Sequence, residues 1–403
     1  MEIVRAGVIG IGNMGSAHAL KIFQKQVEGM QLTAVCDVRK ERLAWAAEAF
    51  QEKVHIFTDY RELLNSGLVD AVIIATPHLL HPVIAQAAME KKLHVLTEKP
   101  AGVETAEVRK MNEAAQKSGV VFGIMYNQRT NPLYRALKED IASGKLGEIK
   151  RFVWIINNWY RTQAYYDSGT WRATWNGEGG GALLNQCPHQ LDLWQWITGM
   201  PVKVRAVCRE GQYHQIQVED DAMIYVEYAN GANGCFITST GEYPGTNRLE
   251  ISGTRGKAVI EDGKLKRYLL ECDEREICFQ SEKAMPTEEV VYSELVQTEP
   301  ESGHLGILQN FTDAILKGTP LLAPGLEGIN GLLISNAAYL SSWTDEWVTI
   351  PFDEQKFSDL LAKKRSQETE QQRKKKQQET VEKEKNQVNT NEGGYEPRWS
   401  VRW

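Results

Sequence analysis

Residues 1 to about 125 repeat one hydrophobic pattern. Ile3–Ile9, Leu32–Cys36, Ala71–Ala75, Leu93–Leu96 and Val120–Ile124 are short runs rich in Val, Ile and Leu, with no polar alternation. Between them, Ser16–Val27, Arg39–Phe50, Pro82–Glu90 and Glu104–Ser118 carry helical spacing. Strands that lack a polar face and are separated by helices predict a parallel sheet covered on both sides. After Asn127 the pattern changes. Leu133–Ser143 predicts a helix, followed by strands at Ile149–Asn157, Val202–Arg209, Ala222–Tyr228, Gly234–Ser239, Arg248–Ser252, Ala258–Ile260 and Leu265–Leu270. Turns such as Asn230-Gly231 and Asp262-Gly263 link successive strands, which makes this half a mostly antiparallel sheet. Helices over Leu183–Ile197, Leu305–Leu316 and Leu326–Ser341 cover one face, and the other is left for a partner subunit. From Phe357 the composition shifts. Lys363–Asn389 is almost wholly Lys, Arg, Glu, Gln and Asn, which cannot bury a core, so it reads as solvated helix or disorder. The aromatic end, Tyr395–Trp403, either docks on a protein surface or is a mobile end.

Composition narrows the class. A chain of 403 residues has room for two domains and a tail. A net charge of -7 gives no general pull towards nucleic acid. No apolar run approaches the roughly 20 residues that span a bilayer. The first strand follows directly on Met1-Glu2, leaving no leader to be cleaved, so the expected compartment is the cytoplasm, with no membrane partner. The cysteines Cys36, Cys187, Cys208, Cys235, Cys272 and Cys278 form no C-x-x-C pair, so no zinc site or redox dithiol is signalled. They are expected to be reduced and buried, with no metal bound.

Candidate chemistry begins at Gly10-Ile11-Gly12-Asn13-Met14-Gly15, which follows a predicted strand and opens a predicted helix. In that context the glycines serve a tight turn, a close approach to pyrophosphate and close helix–strand packing. The phosphates would then sit on the N–H groups of the helix start, Asn13 and Met14 among them. Asp37 ends the second strand, 22 residues after Gly15. A carboxylate there holds the adenosine ribose hydroxyls and repels a 2′-phosphate, favouring NAD, while Arg39 and Lys40 pull towards NADP. Residues 1–126 are therefore read as a Rossmann domain, 127–355 as an α/β domain for substrate binding and oligomerisation, and 356–403 as a polar tail.

Two further groups are placed at the same edge. Leu93–Leu96 ends at Thr97-Glu98-Lys99-Pro100, so Lys99 lies at the carboxyl edge of the parallel sheet, where ligands of such sheets bind. Its ammonium suits a reacting hydroxyl. Gly179–Asp192 runs from glycine-rich loop into helix, and the spacing of Asn185, His189 and Asp192 puts all three on one helical face. An imidazole with a pKa near neutrality suits removal of a proton from an alcohol as hydride leaves. The Asn157–Tyr166 stretch, with Trp159, Arg161 and Tyr165, resembles a polyol-binding surface, as does Trp171–Asn176. The alternative is an aromatic loop packing on its own domain.

Together these residues resemble the Gfo/Idh/MocA oxidoreductases over roughly residues 3–350. The resemblance rests on Gly10–Gly15, Ala75-Thr76-Pro77 with His81, Glu98-Lys99-Pro100, Trp171-Arg172, Gly179–His189 with Asp192, and Ile251-Ser252-Gly253-Thr254 with Gly256. It implies a Rossmann domain followed by an α/β domain with an open sheet, commonly joined sheet to sheet in homodimers and homotetramers. It implies Lys99 and His189 as catalytic residues at the substrate carbinol. It also places Thr76, Pro77, His81, Glu98, Asn127, Trp171 and Arg172 around the cofactor. Many members carry Asp where this chain has Asn185, an amide that cannot accept a proton, so His189 and Lys99 would share the acid/base role. Asn185 would then only orient a hydroxyl. The implied activity is NAD(P)-dependent oxidation of a secondary hydroxyl of a sugar, sugar derivative or inositol, or the reverse. The alternatives are redox-neutral glycoside cleavage and a non-catalytic NAD-sensing regulator.

Overall fold

A computed structural model describes residues 2–169, 171–298 and 300–368. The first unit runs β1 (Val4–Ile9), α1 (Asn13–Phe23), β2 (Met30–Cys36), α2 (Lys40–Phe50), β3 (His55–Phe57), α3 (Tyr60–Asn65), β4 (Ala71–Ile74), α4 (His81–Glu90), β5 (His94–Thr97), α5 (Thr105–Ser118) and β6 (Phe122–Ile124). Among the described residues it forms a six-stranded parallel sheet ordered β3-β2-β1-β4-β5-β6. All of β4 is buried, as its lack of polar alternation requires. The strand order reverses between β1 and β4, and the crevice outside their carboxyl ends is where such sheets bind ligands. β3 and α3 escaped the periodicity because they span 3 and 6 residues, too few to show a period.

The second unit runs α6 (Pro132–Ala142), β7 (Ile149–Ile156), α7 (Gln163–Tyr166), α8 (Ala182–Asn185), α9 (Pro188–Thr198), β8 (Lys203–Glu210), β9 (Glu219–Glu227), β10 (Asn233–Ser239), β11 (Asn247–Gly253), β12 (Gly256–Glu261), β13 (Lys264–Leu270), α10 (Glu274–Gln280), β14 (Val290–Val296), α11 (Gly303–Lys317), α12 (Gly328–Thr344), β15 (Val348–Thr349) and α13 (Glu354–Gln367). Its nine strands are ordered β14-β13-β12-β11-β7-β10-β9-β8-β15 among the described residues. Every neighbouring pair is antiparallel except β7 with β10. Those two are joined by a long crossover, which a parallel pair needs. One face is packed: Trp194 of α9 stacks on Phe152 and on Phe236, with ring centroids 4.7 and 5.7 Å apart. The opposite face leaves Val207, Met223, Tyr225 and Trp347 exposed.

Three expectations need correction. The helix expected over 183–197 is two helices, because Pro188 opens α9 and lacks the N–H that would continue α8. The cysteines are free, but only Cys36 and Cys187 are buried, and Cys278 is exposed on α10. Packed structure also runs past residue 355. Phe357 and Leu361 of α13 are buried, and Phe357 stacks on Trp343 at 5.5 Å. These two apolar residues are one helical turn apart, enough to dock an otherwise charged helix. Residues 369–403, with the aromatic Tyr395–Trp403 end, lie outside the described residues. No helix among the described residues is long and apolar enough to cross a membrane.

Candidate active site

The glycine loop joins β1 to α1 at the switch point. Gly10 has φ +85°, and a Cβ there would lie 2.7 Å from the Ala75 carbonyl oxygen, so only glycine lets β1 and β4 approach this closely. A Cβ on Gly12 would meet only Arg39 Nη2, at 3.9 Å, so the loop backbone faces open space. Gly12 caps α1 without a side-chain bond, which leaves the N–H groups of Asn13, Met14 and Gly15 open to an anion. Asp37 accepts the Ile11 N–H at 2.9 Å through one oxygen and the Arg39 N–H at 2.9 Å through the other. The strand-end carboxylate is thereby fastened to the glycine loop. Nearby, Thr76 Oγ1 and Asn127 Oδ1 are buried without a protein partner. Open first-turn amides, a ribose-type carboxylate and two orphaned polar atoms fit a dinucleotide.

The two ring nitrogens of His81 face the Thr76 and Pro100 carbonyl oxygens at 2.7 and 2.8 Å, clamping the loops after β4 and β5 together. Glu98 is bound at 2.7 Å by His18 Nε2 and at 3.1 Å by the Lys99 N–H. Burial opposes its charge, but the His18 bond and the charges of His18, His304 and Lys99 hold its carboxyl at about 2. His18 and His304, whose rings lie 5.6 Å apart, were missed because a lone histidine on a helix carries no sequence signal.

The candidate catalytic residues are brought together from the two units. Lys99 Nζ donates to the Asn185 carbonyl oxygen at 2.7 Å. Asn185 ends α8, whose start is held by the buried Glu219: its carboxylate accepts the Gly181 and Leu183 N–H groups at 2.9 and 2.8 Å and the Tyr339 hydroxyl at 2.7 Å. Burial pushes Glu219 up to about 7. The Asn185 amide nitrogen donates to Glu178, and its oxygen accepts the Tyr165 hydroxyl at 3.4 Å. Tyr165 also accepts from Arg172 at 2.9 Å and from Gln186 at 3.2 Å, and the Arg161 and Arg172 guanidiniums lie over its ring at 5.0 and 4.7 Å. His189 sits in the first turn of α9, nearly buried, with Nδ1 unpartnered. Burial, then the charges of Lys99 and His304, push it well below the ordinary imidazole value, so it is neutral at neutral pH. Burial also lowers Lys99, against the opposing pull of Glu98 and Glu178. Glu178 and Glu219 were missed: one abuts the glycine run, and the other sits in Val218-Glu219-Asp220-Asp221, which reads as a solvated strand start.

Two expected substrate contacts are displaced. Trp159 is 1% exposed and donates its indole N–H to the Ser239 carbonyl at 3.0 Å, so it packs within its own domain. Its backbone neighbours Tyr160 and Arg161 line, together with Trp159 itself, an open cleft of about 430 Å³ against Glu242 and Tyr243. Asp192 is fully buried, bonded by Arg129 at 2.8 and 2.6 Å and by Gln195 at 3.0 Å. It shares a helix with His189, but Asn185 does not, so the single face predicted for all three is not formed. Asp192→Ala is expected to destabilise the fold by about 3 kcal/mol, the low end for stranding a buried cation, because Glu327 still pairs Arg129 at 2.6 Å. Denaturant unfolding checks this; a substrate role would leave the midpoint in place and raise KM.

Comparison with known proteins agrees with this fold. Residues 4–126 match the model of an oxidoreductase family with an NAD-binding Rossmann fold, and residues 134–259 match a GFO/IDH/MocA C-terminal domain. A levoglucosan dehydrogenase from Pseudarthrobacter phenanthrenivorans is 26% identical over 398 residues, covering 87% of this chain and 99% of that protein. A myo-inositol 2-dehydrogenase from Thermotoga maritima is 26% identical, covering 83% and 95%. Among solved structures, the WlbA dehydrogenase from Bordetella pertussis in complex with NADH and UDP-GlcNAcA is 25% identical, with a TM-score of 0.72, over 87% of this chain and all of that one.

Proposed function

The chain belongs to the Gfo/Idh/MocA oxidoreductases, and from that premise we propose that it oxidises a secondary hydroxyl of a sugar, sugar derivative or inositol with NAD, or reduces the matching ketone. One observation carries the reading: the Lys99 ammonium, held by the Asn185 carbonyl, lies near a buried His189 whose Nδ1 has no hydrogen-bond partner, in a chain whose glycine loop leaves its backbone open at the carboxyl edge of the same sheet. The relatives named for levoglucosan and myo-inositol supply the substrate class.

The residues divide the work. The loop amides, Asp37, Thr76 and Asn127 would hold NAD, which when bound accepts hydride at its nicotinamide ring. His189 takes the hydroxyl proton of the substrate. Lys99, steered by the Asn185 carbonyl, places positive charge where alkoxide character develops. Arg161 and Tyr165 face the sugar side, and Asn185, anchored on Glu178 and Tyr165, fixes the pocket wall. The open face of the nine-stranded sheet receives a second copy of the chain in a dimer or tetramer. A polyol deuterated at the reacting carbon should yield deuterated NADH by mass spectrometry; NADH free of deuterium would contradict hydride transfer from that carbon.

Asp37 sets the cofactor preference. Asp37→Ser is expected to lower kcat/KM for NAD by about tenfold to a hundredfold, the worth of hydrogen bonds to a charged group, and to raise it for NADP. Arg39, 3.7 Å from the Asp37 carboxylate, stands where its guanidinium can reach a 2′-phosphate once the carboxylate no longer repels that group. The ratio of the two steady-state constants reads the switch.

A further inference from the structure

Glu368, just beyond α13, is 4% exposed, and its carboxylate is devoted to one loop. It accepts the Trp175 N–H, the Asn176 N–H at 3.1 Å and the Asn176 side-chain amide. Arg365 adds a bond from Nε to the Trp175 carbonyl at 3.2 Å, and the Arg365 carbonyl accepts Asn176 Nδ2 at 2.8 Å. The same helix grips the first unit: Arg365 near its end and Ser358 in its first half bind the two oxygens of Glu104 at 3.0 and 2.6 Å. Glu104 caps α5, a few residues after Lys99.

The gripped loop carries site residues on both flanks. Arg172 precedes it and bonds Tyr165; Glu178 follows it and bonds Asn185, whose carbonyl holds Lys99. Glu178 also takes the Ala173 N–H at 2.7 Å, closing the loop on itself, and its carbonyl meets His78 Nδ1 at 3.1 Å. A displacement at Trp175-Asn176 is therefore passed to Glu178 and on to the Asn185–Lys99 contact.

We propose that Glu368 is a positioning residue: by binding Trp175 and Asn176 while α13 holds Glu104, it sets the placement of the Arg172–Glu178 loop relative to Lys99. The inference rests on the proposed activity for its kinetic consequence, but not for its structural one. Ordering a remote loop that aims reacting groups is worth a large factor in rate, since small misplacements are costly.

The test uses the full chain with NADH bound for exchange and at saturating NAD for kinetics. In Glu368→Ala, the Trp175 and Asn176 amides should exchange with solvent faster than in wild type, with the change confined to residues 171–178. Polyol kcat/KM should fall by about tenfold to a hundredfold. The melting temperature should stay close to wild type, because Trp175 keeps its packing on Tyr339 and Trp343. Glu368→Gln, which keeps one acceptor oxygen, should restore much of both. Unchanged exchange at 171–178, a loss of protection across the whole second unit, or wild-type kcat/KM despite a loosened loop would each overturn the proposal. A wild-type protein silent on every polyol would defeat the proposed activity, and the exchange comparison would still decide the role of Glu368.

Discussion

Lys99→Met is expected to lower kcat for polyol oxidation by about a hundredfold to a thousandfold, the scale of removing one preorganised donor from a developing oxyanion. Methionine matches the length of the lysine stem but carries no charge, so packing is largely kept. What disappears is the ammonium that Asn185 holds in place at 2.7 Å. Because the loss falls on a charge that matters most in the transition state, kcat and kcat/KM should fall together. NADH affinity, measured by fluorescence, should stay near wild type, since the glycine loop and Asp37 are untouched. A lysine with only a structural role would give the reverse: a lower melting temperature and a preserved kcat.

His189→Ala is expected to cost about a hundredfold to ten-thousandfold in kcat, the range for a positioned general base. The pH profile adds an independent check. His189 works only when unprotonated, so oxidation is supported above its pKa and lost as pH falls through it. Burial, with Lys99 and His304 nearby, places that pKa below the ordinary 6.5. The acid limb of kcat/KM should therefore fall below pH 6.5, leaving activity flat across neutrality. Lys99 works the opposite way: its charge is lost as pH rises, and burial moves that loss below the ordinary 10.5. The profile should be bell-shaped, and the alanine variant should lose the acid limb.

Much of this was legible in the chain, and for definite reasons. Gly10–Gly15 can be read because a tight turn, an open backbone and close strand packing each demand glycine at a fixed spacing. Lys99 can be read because a buried strand ends just before it, which fixes its edge of the sheet. The pattern failed where long-range partners decide the outcome. Asp192 reads as a site residue beside His189, but Arg129, 63 residues earlier, takes both of its oxygens. Trp159 reads as a stacking platform until the Ser239 carbonyl claims its indole N–H. Glu219 and Glu368 look like surface carboxylates, and each is buried to hold backbone N–H groups that are far away in sequence. Helical spacing also misplaced Asn185, since nothing in a period of residues shows that Pro188 starts a new helix.

The most direct test is the formation of NADH, followed by its near-ultraviolet absorbance, with the full-length protein, NAD and a panel of inositols, hexoses, uronic acids and glycosides. The account predicts NADH formation with a stereochemically related set of these polyols and its loss in the His189→Ala variant. A silent panel from protein shown to bind NAD, or an equal rate in the His189→Ala variant, would contradict it.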